Sequence, residues 1–485
     1  VVRLGWIVVL NIAVFVHFGF ATRHWYITYG SLSGQWCEGY GLLVILLAII
    51  YGSLIYFYVV KKYFGKTIVR FNEQIMTNVS FEQSFGSILS QINWQPVIWG
   101  LILQFVFGIL TIRWSVGRAI LQCIADKTAT FLNYALDGAT FIFSETLVTD
   151  YGVFAFASLP VIFFFSFIVQ ILYYLGAMQC FVMKLGGILQ SIMGTTVCES
   201  INTVANIFLS MSESPLLIKP YVPSLTSSEI HTVMASGFAT VSGTVLAAYI
   251  RFGAEPAHLI TASVMSAPAS LCFSKLFYPE TEKSKTSRDT IEIKESEDTS
   301  ILDAASKGAL AGMPIFLGVI ANVIAFVSVV AFLNGMVSWF GGLVGYDDIN
   351  FEWFLTKMFM PLSWIMGVPW AECEAVATLI GLKTVVNEFV AYERLGEYKA
   401  QKMLSARTEA IATYAICGFS NPGSIGIMIG ALTSMAPEKR AQISNVAARA
   451  FITGCAVCFL TACIAGKNYI VVEEVEHEQY TLSLV

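Results

Sequence analysis

Two short stretches limit what this chain can fold into: residues 206–215 (NIFLSMSESP), and Asn387-Glu388 together with residues 418–426 (GFSNPGSIG). Each gathers polar side chains, glycine and proline inside sequence apolar enough to lie in a bilayer. Polar groups and broken backbone are tolerated at that depth where they line a cavity or bond one another. The rest of the chain demands a bilayer: of 485 residues 56% are apolar and only 13% charged, too few charges for a water-facing surface. The net charge of −5 comes without the basic stripe that nucleic acid would need.

A spanning helix takes about 20 mainly apolar residues. That rule marks nine spans, near residues 4–22, 41–60, 95–113, 152–175, 228–250, 257–276, 313–338, 406–432 and 443–466. Basic clusters follow the second span (Lys61, Lys62, Lys66, Arg70), the sixth (Lys275, Lys283, Lys285, Arg288) and the eighth (Lys439, Arg440). Alternating spans put all three on one side, which their positive charge makes cytoplasmic. The amino end is then inside, and the acidic tail (Glu473, Glu474, Glu476, Glu478) outside. The sequon at Asn78 would face the cytoplasm and stay unglycosylated. The chain starts within an apolar run, so an upstream part is expected to be missing. Residues 277–300 read as a solvated linker, and 116–137 as an amphipathic helix along the membrane surface. Most of the ten cysteines, including Cys455 and Cys458 of a C-x-x-C, fall in apolar runs, where thiols behave as small hydrophobes.

Two segments do not fit as spans. Residues 194–218 carry Glu199, Asn202, Asn206 and Glu213 and are broken near Ser210, Ser212 and Pro215; residues 354–391 hold Pro361, Pro369, Glu372, Glu374 and Asn387-Glu388. Both read as re-entrant hairpins. Each precedes a span interrupted by a shared pattern, SGFATVSG at 236–243 and CGFSNPGS at 417–424. The topology opens the first hairpin inward and the second outward. The expected fold is an all-α polytopic membrane protein, with about nine spanning helices plus two re-entrant hairpins and broken helices in an inverted repeat. That plan suits a secondary transporter, because discontinuous helices meeting near the midplane offer free amides and carbonyls to a solute or a cation.

Glu213 and Glu388 are costly if left alone in hydrocarbon. Either they cap helix ends or pair with Arg407 or Arg449, or they accept hydrogen bonds from the hydroxyls of a neutral polyol such as ribose. Asn421 and Ser424, three apart around Pro422-Gly423, present polar groups on one face of the break, and Phe419 and Val245 can pack against a planar ring. For a monovalent cation, Asn206, the Thr240 hydroxyl and the carbonyls of Leu209 and Val241 can supply uncharged oxygens. Asn206 can equally satisfy the hairpin backbone.

At these residues the sequence resembles the concentrative nucleoside transporter family, sodium-coupled nucleoside carriers of the plasma membrane. The likeness runs from about Pro96 to Gly466 and is dense in ESPLL, TASVMSAPAS, KLFYPETEK, NEFVAYE, CGFSNPGSIG and LTSMAP. It implies a homotrimer with a nucleoside site in each protomer, and a transport domain that moves like an elevator against a scaffold. Residues 1–94 then hold amino-terminal helices and a cytoplasmic loop, and 95–193 scaffold helices with an interfacial helix. Residues 194–276 and 354–432 form the two transport units, joined by a cytoplasmic linker with an interfacial helix (277–312) and a scaffold helix (313–353). Residues 433–485 supply the last scaffold helix and an extracellular tail.

Carried over by motif, Glu388, Asn421 and the second break with Phe419 and Ser424 face ribose. Met211, Ser212, Glu213 and Val245 face the base, which moves Glu213 from sugar to base. Asn206, Leu209, Thr240 and Val241 match the family's sodium ligands. Where the family usually has Gln-Thr-Glu this chain has Met211-Ser212-Glu213, and methionine lacks the amide's donor and acceptor. Base selectivity is expected to shift toward purine nucleosides and uridine, with cytidine and thymidine disfavoured. The family usually begins with more membrane helices than this chain shows. The alternative to sodium is proton coupling through Glu388, Glu213 or Cys417. The competing classes are a channel, and an embedded enzyme using Glu213 and Glu388 as acid and base; no H-E-x-x-H, clustered histidine or glycine-rich phosphate loop supports the enzyme.

Overall fold

The computed structural model describes residues 92–282, 284–286, 298–342 and 349–482, with side chains as far as residue 469, and isolated positions before residue 53. The spans expected at 4–22 and 41–60, the basic residues Lys61 to Arg70, Asn78, Lys283, Arg288 and the acidic tail's side chains lie outside that description. The chain falls into two compact units, residues 1–81 with 122–124 and residues 82–121 with 125–485. The fold below is that of the second.

All regular elements among the described residues are helical. Among the described residues five helices are long and apolar enough to cross a membrane, Trp94–Arg113, Phe154–Tyr174, Pro256–Phe277, Ile301–Trp339 and Pro437–Tyr469, and they coincide with five expected spans. Helices α1 (Trp94–Gly108), α2 (Ser115–Asn133), α3 (Val161–Tyr174) and α4 (Ala177–Met193) lead into the first hairpin. Its arms are α5 (Val197–Ala205) and a 3-10 helix (Ser214–Ser224), whose Pro220 and Pro223 lack the N–H an α-helix would use. Then comes α6 (Ser227–Ala239), started by a capping box of Thr226 and Glu229. The chain is extended at Thr240 and resumes as α7 (Gly243–Arg251). The expected span at 228–250 is thus split where the sequence places its small and polar residues.

Helices α8 (Pro256–Phe277), α9 (Ile301–Gly342) and α10 (Phe351–Ile365) precede the second hairpin, formed by α11 (Cys373–Val385) and α12 (Glu388–Ala400). Its arms run back along each other. This hairpin starts at Cys373, not at 354: Pro361 is absorbed inside α10 instead of breaking the chain. Helix α13 (Ala406–Ile416), a break at 417–421, α14 (Pro422–Met435) and α15 (Arg440–Leu482) complete the unit.

Small residues decide which helices touch. A Cβ on Gly100 of α1 would sit 2.6 Å from Cys272 Cβ and 2.8 Å from the Pro268 carbonyl of α8, so glycine sets that crossing. Gln104 Nε2 of α1 donates to Thr461 Oγ1 of α15 at 2.9 Å, and α15 packs along α6 and α13. Helices α1 and α15, expected among scaffold helices, therefore pack within the bundle of broken helices. Helices α3 and α9 pack on each other, with the Phe163 and Phe316 rings 5.1 Å apart and Gln170 donating to Asp298 at 2.8 Å.

The stretch expected as a solvated linker is partly docked. Ser284 and Thr286 donate to the Glu229 carboxylate at 2.6 and 2.9 Å, and Thr226 donates to Glu280 at 2.7 Å. Lys275, expected in a basic loop, is buried against Glu199 and Ser228. Short hydroxyl side chains satisfy buried carboxylates here, a pairing that charge density alone does not reveal.

Candidate functional site

The two breaks meet. Gly418 has φ +122°, a conformation glycine tolerates without strain, and a Cβ there would lie 2.8 Å from both the Phe238 carbonyl and Cys458 Sγ. Ser420 Oγ donates to the Phe238 carbonyl at 2.8 Å, and the Cys458 thiol reaches the carbonyls of Ala239 and Cys417. The second cysteine of the C-x-x-C thus fastens this joint.

Beside the joint lies a cavity of about 350 Å³. Glu388, at the start of α12, is 2% exposed. Asn421 Nδ2 donates to its Oε2 at 2.7 Å and the Tyr249 hydroxyl to its Oε1 at 3.3 Å. Asn421 Oδ1 simultaneously caps α14 by accepting from Ser424 N at 2.9 Å. The amino end of α12 favours negative charge at Glu388. Neither basic candidate pairs with it: Arg407 donates to the Gly466 carbonyl, and Arg449 stacks over Tyr278.

Met211, Ser212, Val245, Glu388, Phe419, Asn421 and Ser424 all line this cavity. Glu213 does not. Its Oε2 turns back to accept from Ser210 N at 2.9 Å, and it borders a separate cavity of about 650 Å³ together with Leu209 and Lys219. A carboxylate three residues after an amide that has no backbone acceptor closes a local cap, and this draws Glu213 away from the ligand side. The far wall of the 350 Å³ cavity comes from α9, with Pro314, Ile315, Gly318, Val319 and Asn322. Sequence reasoning did not single out these residues. The one signal was Asn322, a polar side chain within the apolar run of α9.

Two of the four expected cation ligands, Asn206 and Thr240, bond Ser236. Asn206 Nδ2 donates to Ser236 Oγ at 3.0 Å, and Thr240 Oγ1 donates to the Ser236 carbonyl at 2.9 Å, which leaves its lone pairs available. Gly243 N donates to the Phe208 carbonyl at 3.3 Å, pinning the break to the hairpin tip. The Val241 carbonyl lies 3.5 Å from Ser263 Oγ. Asn206 is 1% exposed and its Oδ1 has no donor. An unmet buried acceptor costs about 1–3 kcal/mol, and a dehydrated monovalent cation is a partner that fits neutral oxygens.

Residues 258–466 match the family model described as "Na+ dependent nucleoside transporter C-terminus", residues 85–146 its N-terminal counterpart, and residues 155–256 a "Nucleoside recognition" model. In the solved structure of CNTnw in an inward-facing substrate-bound state, 98% of the neighbour is covered at 35% identity, with a TM-score of 0.74 over 84% of this chain. The chain belongs to the concentrative nucleoside transporter family. A doubly substituted CNTnw in an outward-facing state gives a TM-score of 0.75 over 83% of the chain and 97% of that structure, at 35% identity. Among named relatives, "Solute carrier family 28 member 3" of Eptatretus stoutii is 46% identical over 80% of this chain and 58% of its own length. "Sodium/nucleoside cotransporter 2" of Rattus norvegicus is 44% identical over 79% of this chain and 60% of its own length. The chain thus spans less than two thirds of these relatives. Membership in the concentrative nucleoside transporter family places it among transporters, not enzymes, and removes the acid and base reading of Glu213 and Glu388.

Proposed function

We propose that this chain imports nucleosides across the plasma membrane, coupled to sodium. The observation that carries the reading is the Glu388 and Asn421 pair in a 350 Å³ cavity with aromatic and aliphatic walls. Both partners of Glu388 are neutral donors, and its oxygens keep lone pairs for two vicinal hydroxyls of a ribose. An anionic ligand would be repelled there. Phe419 and Val245 give a planar base its contact area, and Ser212 its polar edge. Asn206, Leu209, Thr240 and Val241 hold the sodium ion.

Sodium meets the Asn206 acceptor and orders the tip at 206–213, which raises nucleoside affinity; by linkage, nucleoside raises sodium affinity by the same factor. The hairpins and broken helices then move as one body against α3 and α9, exposing the cavity to either side in turn. The assembly is a homotrimer with one site per protomer and a cytoplasmic amino end. Met211 in place of an amide shifts preference toward purine nucleosides and uridine. Radiolabelled uridine uptake with and without sodium tests the function. Accumulation above the outside concentration that needs sodium is expected; equal uptake in its absence refutes coupling.

A further inference from the structure

Among the described residues three acidic side chains are buried, Glu199, Glu229 and Glu388, and two lysines, Lys275 and Lys383. Glu199 pairs with Lys275. Glu229 accepts from Thr226 N and from the hydroxyls of Ser284 and Thr286. Lys383 and Glu388 remain. Lys383 lies in the last turn of α11, just before the hairpin tip whose far side begins with Glu388. It is 0% exposed and its ammonium has no hydrogen-bond partner. Such a group is strongly destabilising unless a counter-charge is close. Only the short turn through Val386 and Asn387 separates the end of its helix from Glu388, the buried carboxylate left without a cationic partner. Glu388, for its part, accepts from the neutral donors Asn421 and Tyr249, so its charge is not balanced by those contacts.

We propose that Lys383 is the built-in counter-charge of Glu388, a fixed cation behind the sugar site that leaves sodium as the sole unbalanced charge of the loaded site. This rests on the sodium-coupled reading above. Lys383 is a positioning residue: it acts through Glu388 and does not line the cavity. Without it, the site would carry an uncompensated negative charge and draw cations more strongly, whereas simple damage to the fold would weaken every ligand.

The test uses the full chain, purified, with sodium binding read as the shift in Tm on titrating sodium chloride against choline chloride, and uridine binding read by radioligand. Lys383→Met is expected to lower the half-saturating sodium concentration by about threefold or more while weakening uridine. Lys383→Arg, which keeps the charge, is expected to retain the wild-type sodium value even where its bulk lowers Tm. Glu388→Gln is expected to weaken sodium, and Lys383→Met combined with Glu388→Gln to return sodium affinity and Tm toward wild type. Unchanged or weaker sodium binding in Lys383→Met, or Arg behaving as Met does, overturns the proposal. If the wild type itself shows no sodium shift, sodium coupling falls, and Tm alone decides the pairing: restoration in the double variant supports it and additive losses reject it.

Discussion

The tip of the first hairpin runs through residues 206–213 without a helix, whereas the second turns within Val386 and Asn387. In the first unit the Asn202 and Asn206 side-chain oxygens are buried with no donor. In the second, Asn387 accepts from Val390 N at 3.1 Å, Asn421 accepts from Ser424 N, and Asn421 also donates to Glu388. Two units of the same plan have thus been finished differently. A loose tip with unmet acceptors is ordered by something from outside, so it suits the ion. A tight tip whose asparagine acceptors are met, though Lys383 Nζ and Thr384 Oγ1 just before it have no hydrogen-bond partner, suits recognition of a rigid neutral sugar.

The sharpest way to break this contrast is Glu388→Gln. It removes hydrogen bonds to a charged acceptor, each worth about 1.5–3 kcal/mol, so uridine uptake is expected to fall by ~100-fold. A loss of only about threefold would place the sugar elsewhere. Next in size is Asn206→Leu in the loose unit. Half-maximal sodium is expected to rise ~10-fold, about 1.4 kcal/mol, with uridine affinity at saturating sodium unchanged; a sodium titration of uptake measures this, and an equal loss of both ligands would erase the division of labour.

A smaller effect is expected from Glu213→Ala. The lost cap on Ser210 N is worth ~1 kcal/mol, so uridine and guanosine affinities both weaken about fivefold. Unequal losses in competition assays would mean that Glu213 reads the base after all. Smallest is Met211→Gln, which restores an amide at the cavity wall. Cytidine and thymidine are expected to compete for uridine uptake about threefold better, with uridine itself unaffected, and no gain would mean that residue 211 does not set selectivity.

The polar half of this site was legible because hydrocarbon makes polar residues conspicuous. Glu388, Asn421, Ser424 and the two G-F breaks stood out from apolar surroundings, and the structure brings them together. The apolar half was not. Ile315 and Val319 of α9 look like any lipid-facing residues until the helix is docked. Glu213 turns from the cavity where the sequence put it, because a sequence shows a carboxylate but not which amide it will choose, and the nearest, Ser210 N, was three residues away. The second hairpin was expected from residue 354, but Pro361 is carried within the preceding helix and the hairpin arm begins at Cys373. Lys275 looked like a loop cation and became the partner of a buried glutamate, since hydropathy does not say which charges will meet.

The joint at Gly418 bears on any effort to change what this carrier accepts. With the Phe238 carbonyl and Cys458 Sγ each 2.8 Å from where a side chain would begin, that hinge of backbone leaves no room for variation, and neither interrupted helix can be reshaped without disturbing the other. New specificities must be engineered in wall side chains away from that backbone, such as Val245 and Ile315. A library built there alters the ligand while the coupling frame stays as it is.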